Sequence, residues 1–391
     1  MTARTLLSAL TLLSATTLEA QAPITGVFVS TLGSDTVAVE RYTRNGSRLE
    51  GEVLSRYPRV QLLRYVADLG DGKFKGMSVT SRAGDAEPNA APLLSVITLF
   101  ADSTAAVEVQ RAGKADTVNS ARRVFRGRVA PSIPDFPSAV GLYEQILLFN
   151  PPAGRDSVRL SMIGGGAPTT MALLRRSRDT IAMVSSLNGR WIEVATVDAA
   201  GRITSVDAGA TTVKTKTTRA SGLDFDATVK AWTRLEAARG RAGRMSPADS
   251  VRSTVANANI EIVYSRPLKR GRRIWGDVVQ WGQPWRTGAN AATLLTTSAD
   301  LMIGNTVVPA GKYTLWTLPT PTGTQLIINT QTGQWGTQYD ASKDLARIDL
   351  TQTTPARPVE QFTIAFVPQG NAGTLRLSWD DREFSVPVRV R

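Results

Sequence analysis

The chain of 391 residues contains no histidine and no cysteine. The first absence removes Ser-His-Asp and Cys-His nucleophile pairs, histidine-ligated zinc and the imidazole pH switch. The second removes disulfides, thiolate nucleophiles, iron–sulfur clusters and a lipid-modified N-terminal cysteine. Proton transfer is left to Asp, Glu, Lys and Tyr. No G-x-S-x-G or S-x-x-K motif occurs, so the common routes to a histidine-free serine nucleophile are missing too. The run Gly164-Gly165-Gly166 lacks the spacing and following lysine of a phosphate loop and reads as a turn between strands. No calcium-loop spacing is present. Asp380 and Asp381 are neighbours on an extended segment, face opposite ways and cannot share a proton. Neither a cofactor nor a metal site is expected, and no catalytic residue is assigned.

What remains is a globular composition, 42% hydrophobic and 20% charged, with 46 Lys+Arg against 33 Asp+Glu and a net charge of +13. Met1–Ala22 has the form of a secretory signal. Arg4 gives the positive start, a leucine-rich stretch from Leu6 to Ala15 follows, and Ala20-Gln21-Ala22 is an A-x-A cleavage pattern. That apolar stretch is too short for a permanent span, and no later one approaches the roughly 20 residues needed. The expectation is a periplasmic or secreted protein with no transmembrane segment.

From Ile24 to about Thr218 the hydrophobic pattern has mostly period two. Asn45-Gly46 is a hairpin turn signal, and further turns at Gly70-Asp71-Gly72, Asn188-Gly189 and Ala200-Gly201 separate short runs, the last of them Thr212–Thr218. Val140, Tyr143, Ile146 and Leu147 form one helical stripe that stops before Asn150-Pro151-Pro152. A large curved antiparallel sheet plus one helix is similar in architecture to the half-barrel lipoprotein carriers, a resemblance that implies shelter for an acyl chain.

Asp226 is a candidate cap for a second helix with the stripe Val229, Trp232 and Leu235 and a stop at Gly240. Ser246-Pro247-Ala248-Asp249 reads as another helix start. Between Arg234 and Arg273 stand ten basic residues and three acids. This patch reads either as a solvated surface or as a site for phosphate-bearing lipid headgroups or acidic polymers. No nucleic-acid motif accompanies it, so nucleic acid is not an expected partner.

Short strands resume at Ile260 and recur to Val390, the pattern of an antiparallel β-sandwich. Here Tyr264-Ser265-Arg266-Pro267, Lys269-Arg270-Gly271-Arg272, Trp285-Arg286-Thr287-Gly288-Ala289-Asn290, Pro309-Ala310-Gly311-Lys312-Tyr313, Gln334-Trp335-Gly336 and Glu360-Gln361-Phe362-Thr363-Ile364 occur in order. Together they resemble the bacterial domain-of-unknown-function family 2911 over roughly Asn257 to Val390. The resemblance implies a domain and export, and no activity.

The expected fold is therefore mainly β: an N-terminal curved antiparallel sheet or half-barrel with a helix, then a C-terminal antiparallel β-sandwich. The expected boundaries are 1–22 for the signal, 23–222 for the first domain, 223–256 for a basic helical linker and 257–391 for the second domain. Tyr264, Arg266, Trp285, Arg286, Asn290, Trp335 and Tyr339 are the candidate ligand-binding residues, because aromatic faces stack and planar guanidinium or amide donors fix orientation. Their structural alternative is that the tryptophans fill the core and Arg286 caps turn carbonyls. The leading functional expectation is a non-catalytic envelope protein that binds an anionic lipid, a glycan or another polar ligand. A purely structural or adhesive module is the alternative, and a carboxylate-based hydrolase the third.

Overall fold

A computed structural model describes residues 22–391 apart from 88–89, 102–103, 112–120, 125–127, 134–138, 155, 165–167 and 187–190. The expected signal segment up to Gln21, and Gly165-Gly166 of the triple glycine, lie outside the described residues.

Among the described residues the alternating pattern of the first half produces one sheet of fifteen strands between Ile24 and Ala220. Eight strands run as a meander from Ile24–Leu32 to Ala121–Val124. The chain then crosses over and returns from the far edge until Lys216–Ala220 pairs with Ile24–Leu32. All pairings are antiparallel except Arg128–Pro131 with Ser157–Ile163, where the crossover enters. The connection between them carries helix α1, Val140–Phe149, which lies on the inner face of the curled sheet.

α1 is held by carboxylates rather than by its own cap. Its N-cap residue Ala139 has no side-chain acceptor. Glu40, from the strand Asp35–Asn45, accepts instead from the N–H groups of Val140 (2.6 Å) and Gly141 (3.0 Å) and from the Tyr65 hydroxyl (2.7 Å). Glu144 accepts from the Tyr42 hydroxyl, the Arg219 guanidinium and the Ile203 N–H. Around this polar spine Leu142, Ile146, Leu63, Val79, Leu160 and Met183 pack as one core. Among the described residues the concave face is thus filled by α1, which leaves the acyl-chain shelter implied by the half-barrel architecture already occupied.

Helix α2, Phe225–Arg239, lies on the opposite face of the sheet, where Phe225, Val229 and Trp232 pack with Val39, Leu54 and Val60. Its cap is Asp224, which accepts from Ala227 N–H at 2.9 Å; the expected cap, Asp226, sits in the first turn and pairs with Arg41 at 3.0 Å. Asp224 has the extended backbone that a cap requires, whereas Asp226 is already helical. Gly240, at φ +77°, ends the helix as expected.

The expected helix start at Ser246-Pro247 is a strand, Ala248–Val255, paired antiparallel with Ala258–Ser265. Val251, Thr254 and Val255 are β-branched and suit a ladder, and the Asp249 carboxylate ties to Arg266 rather than to a helix terminus. Residues 223–256 are thus not one linker: α2 packs on the first sheet and Ala248–Val255 opens the second.

The second sheet has eleven strands folded into two facing layers. Ile260, Ile262, Leu295, Leu315 and Leu326 of one layer meet Phe362, Ile364, Leu375, Leu377 and Phe384 of the other. Between Ala258–Ser265 and Thr293–Thr297 runs a long irregular segment, 266–292, whose Ile274, Trp275, Val279 and Trp285 plug one end of that core. A loop of this length inside a packed fold is where a site is expected.

Candidate functional site

The segment 266–292 faces the first sheet across a cleft of about 550 Å³. The first half contributes Tyr57, Pro58 and the loop 208–215; the second contributes residues between Arg244 and Ser246, most of the long segment, and Gly336-Thr337. The two sides are joined at Arg270. Its carbonyl accepts from Ser34 N–H at 2.9 Å, while its guanidinium donates to Asp35 and to the Tyr57 hydroxyl (2.7 Å) and stacks over the Tyr57 ring at 4.9 Å. Gly33, at φ +62°, permits this approach, since a Cβ there would stand 2.1 Å from the Arg270 carbonyl oxygen.

Among the described residues five basic ones line the cleft, Lys214, Arg244, Arg270, Arg272 and Arg286, and no acidic one does. Among the described residues only Arg270 of these has a carboxylate partner. Arg272 donates to the carbonyls of Lys269 (2.9 Å) and Leu268 (2.5 Å), and Lys214 to that of Gly209 (2.7 Å). Arg286 has one long contact, 3.5 Å to the Gly336 carbonyl, and its Nε is buried without a partner, as is the Nε of Arg270. Other arginines of the basic stretch are neutralised elsewhere: Arg252 by Glu261, Arg266 by Asp249, Arg273 by Asp277.

The electrostatics follow from this imbalance. Burial, reinforced by the Arg286 and Arg272 charges, pushes the Lys214 amine down to about 8. Burial pushes Arg286 down to about 10, and burial with the neighbouring Arg270 charge does the same to Arg272. Each shift reports a positive charge short of negative partners. The arrangement is chemically suited to an oxyanion group, since it offers several N–H donors and, among the described residues, only Arg270 of the five cations is ion-paired with a carboxylate.

Local geometry explains how Arg286 is aimed. Trp285 exchanges backbone hydrogen bonds with Thr317, 2.8 Å each way, and stacks on Trp379 in the core. Thr287 and Asn290 then take positive φ, +49° and +61°, and Thr293 donates to the Thr287 carbonyl at 2.7 Å. Gly336 bounds the arginine stem: a Cβ there would lie 1.8 Å from Arg286 Cδ.

Of the seven candidate residues, Trp285, Arg286 and Asn290 line the cleft together. Tyr264 is buried in the sandwich, its hydroxyl accepting from Ile364 N–H at 2.9 Å. Arg266 ties Asp249, Thr363 and the Phe362 carbonyl. Trp335 forms a bridge to Ala291 outside the lining, and Tyr339 packs on Trp316 and donates to Asp344. The sequence reading missed Lys214, which it placed within a strand from Thr212; that strand begins at Lys216. The available signal was the Ala208-Gly209 turn just before it and the scarcity of lysine, nine against 37 arginines.

Residues 246–388 match the model of a family described as "Protein of unknown function (DUF2911)". No curated protein matches the chain. Among solved structures, a DUF1089 family protein from Pseudomonas aeruginosa aligns at 13% identity and a TM-score of 0.30, covering 44% of this chain and 90% of that one. That likeness is too slight to carry an argument. Among the described residues, no helix is long and apolar enough to cross a membrane, and no three acidic side chains cluster as a metal site would need.

Proposed function

We propose that this is an exported binding protein whose ligand carries an oxyanion group, a phosphate, sulfate or carboxylate, held in the cleft between the two sheets. The observation that carries the reading is Arg286: a charged side chain at the cleft wall, its Nε buried, with no acidic partner and only a 3.5 Å contact to a carbonyl. A guanidinium in a purely structural role is normally satisfied by carboxylates or short carbonyl bonds, as Arg266 is. Lys214 adds a further cation that forms no ion pair with a carboxylate among the described residues, and Arg272, held by two carbonyls, adds its charge beside it. Among the described residues the lining has no Asp or Glu to serve as the acid or base of a carboxylate-based hydrolase.

An anionic lipid headgroup and an acidic glycan share this chemistry. Titration calorimetry with sulfate, with vesicles of anionic lipid and with a uronic-acid oligosaccharide separates the sources. Sulfate binding that raises the melting temperature and weakens with salt is expected. No binding of any of the three by the folded protein would overturn the proposal.

A further inference from the structure

Lys214 is placed differently from the arginines around it. It sits in the loop between the strands Ile203–Asp207 and Lys216–Ala220, and that loop is internally braced. Ala208 N–H donates to the Thr215 carbonyl (2.9 Å), Thr211 Oγ1 donates to the Ala208 carbonyl (2.7 Å), and Val213 N–H donates to Thr211 Oγ1 (3.1 Å). The bracing holds Lys214 at φ +61°, a conformation that side-chain-bearing residues seldom adopt and that clusters at functional positions. Its side chain lines the cleft, Nζ donates only to the Gly209 carbonyl, and no carboxylate forms an ion pair with it among the described residues.

From this position we infer that Lys214 is a reactive amine, which condenses reversibly with the carbonyl of an anionic ligand held by Arg286 and Arg272. The inference rests on the anion-binding reading of the same cleft. The Nζ lone pair attacks the carbonyl carbon and one N–H proton passes to the oxygen, giving a carbinolamine. The hydroxyl then leaves with the second N–H proton as water, and a C=N bond remains. No oxidant or reductant enters. A desolvated lysine beside other cations is the ordinary device for such chemistry, because the neighbours keep the amine neutral. The groups acting on Lys214 are Arg286 and Arg272, which favour the neutral amine, and Asp207, which opposes them. With the amine at about 8, half is neutral at pH 8, against about 0.4% for an ordinary lysine.

Pyridoxal 5′-phosphate is a suitable probe, since it combines an aldehyde with a phosphate. Incubation at pH 8, borohydride reduction and peptide mapping should place one adduct per chain on Lys214, formed at least tenfold faster than on the exposed Lys75. Lys214→Arg, which keeps the charge and the fold, should abolish that adduct. Pyridoxine 5′-phosphate, which lacks the aldehyde, should slow labelling of the wild type by occupying the cleft. If it binds while Lys214 labels no faster than Lys75, the amine inference falls and the anion site stands. If it neither binds nor protects, the anion site falls with it.

Discussion

Replacing Arg286 by methionine separates a ligand-binding arginine from a structural one, because the two roles predict opposite signs. Methionine keeps an unbranched stem against Gly336 and removes the charge. A guanidinium held at about 10 instead of 12.5 carries about 3 kcal/mol of uncompensated charging cost in the folded protein. The folded state binds its proton less well than the unfolded chain, so the penalty is complete at neutral pH and is relieved only as pH climbs from about 10 towards 12.5. Water in the open cleft screens part of it, which leaves about 1–2 kcal/mol. Among the described residues the bond lost is the 3.5 Å contact to the Gly336 carbonyl. Arg286→Met should therefore raise the melting temperature at pH 7, by about 2–4 °C for each kcal/mol. In the same variant, the stabilisation that sulfate gives the wild type should disappear. Differential scanning calorimetry with and without sulfate reads both. A lower melting temperature with unchanged sulfate binding would show that the guanidinium braces the Trp285–Asn290 turn, and the functional reading would be refuted.

Three further outcomes follow from the same geometry. Gly336→Ala places a Cβ 1.8 Å from Arg286 Cδ and 2.5 Å from the Asn290 carbonyl oxygen; displacing the arginine should cost about 1–3 kcal/mol of stability and weaken sulfate binding at least tenfold by calorimetry. Sulfate keeps its charge across pH 7 to 10, so its affinity should fall as pH rises through about 8, where Lys214 loses its proton; binding should take up a proton, and a flat pH profile would contradict that role. Glu40 concerns the fold: burial pushes its carboxyl from 4.5 up to about 8 despite three hydrogen bonds that favour the anion. Between those values the folded state holds a proton that the unfolded chain has released, so stability falls with rising pH, by up to about 1.4 kcal/mol per pH unit. Urea unfolding at pH 5 and pH 8 should show that Glu40→Gln removes this slope, and an identical slope in both proteins would refute the assignment.

The regular part of this architecture was legible because a sheet residue declares itself by alternation. The period-two stretch from Ile24 to Thr218 folds into strands such as Ser157–Ile163 and Thr180–Ser185. α1 was legible from its stripe, but its anchoring was not: Glu40 and Val140 are a hundred residues apart, and no local pattern pairs them. Where local chemistry is ambiguous the reading went astray. Ser-Pro-Ala-Asp opens helices and also precedes strands, and at 246–249 the ladder with Ala258–Ser265 decides. Thr212 and Val213 are β-branched, yet the braced turn keeps them out of the ladder and delivers Lys214 to the cleft. Tyr264 and Arg266 share the signature with Arg286 but serve the sandwich: Tyr264 lies on the strand Ala258–Ser265 and is buried in the core, and Arg266, the first residue of the long segment, is tied back by Asp249, Thr363 and the Phe362 carbonyl.

The cleft draws on both halves without being needed by either core. Each sheet buries its own apolar cluster, and Arg244, Arg272, Arg286 and Lys214 belong to neither. Among the described residues only Arg270 of these cations is tied across the joint by an acid, Asp35, so the contact that registers the two halves is distinct from the cations that form no ion pair. Like charges gathered in a partly dry space repel and cost stability unless something negative joins them. Neutralising Arg270 should therefore loosen the two halves against each other. Neutralising Arg286 or Arg272 should leave them joined and remove the attraction for an anion. The proposed anion would bring negative charge to cations that, apart from Arg270, form no ion pair with a carboxylate among the described residues.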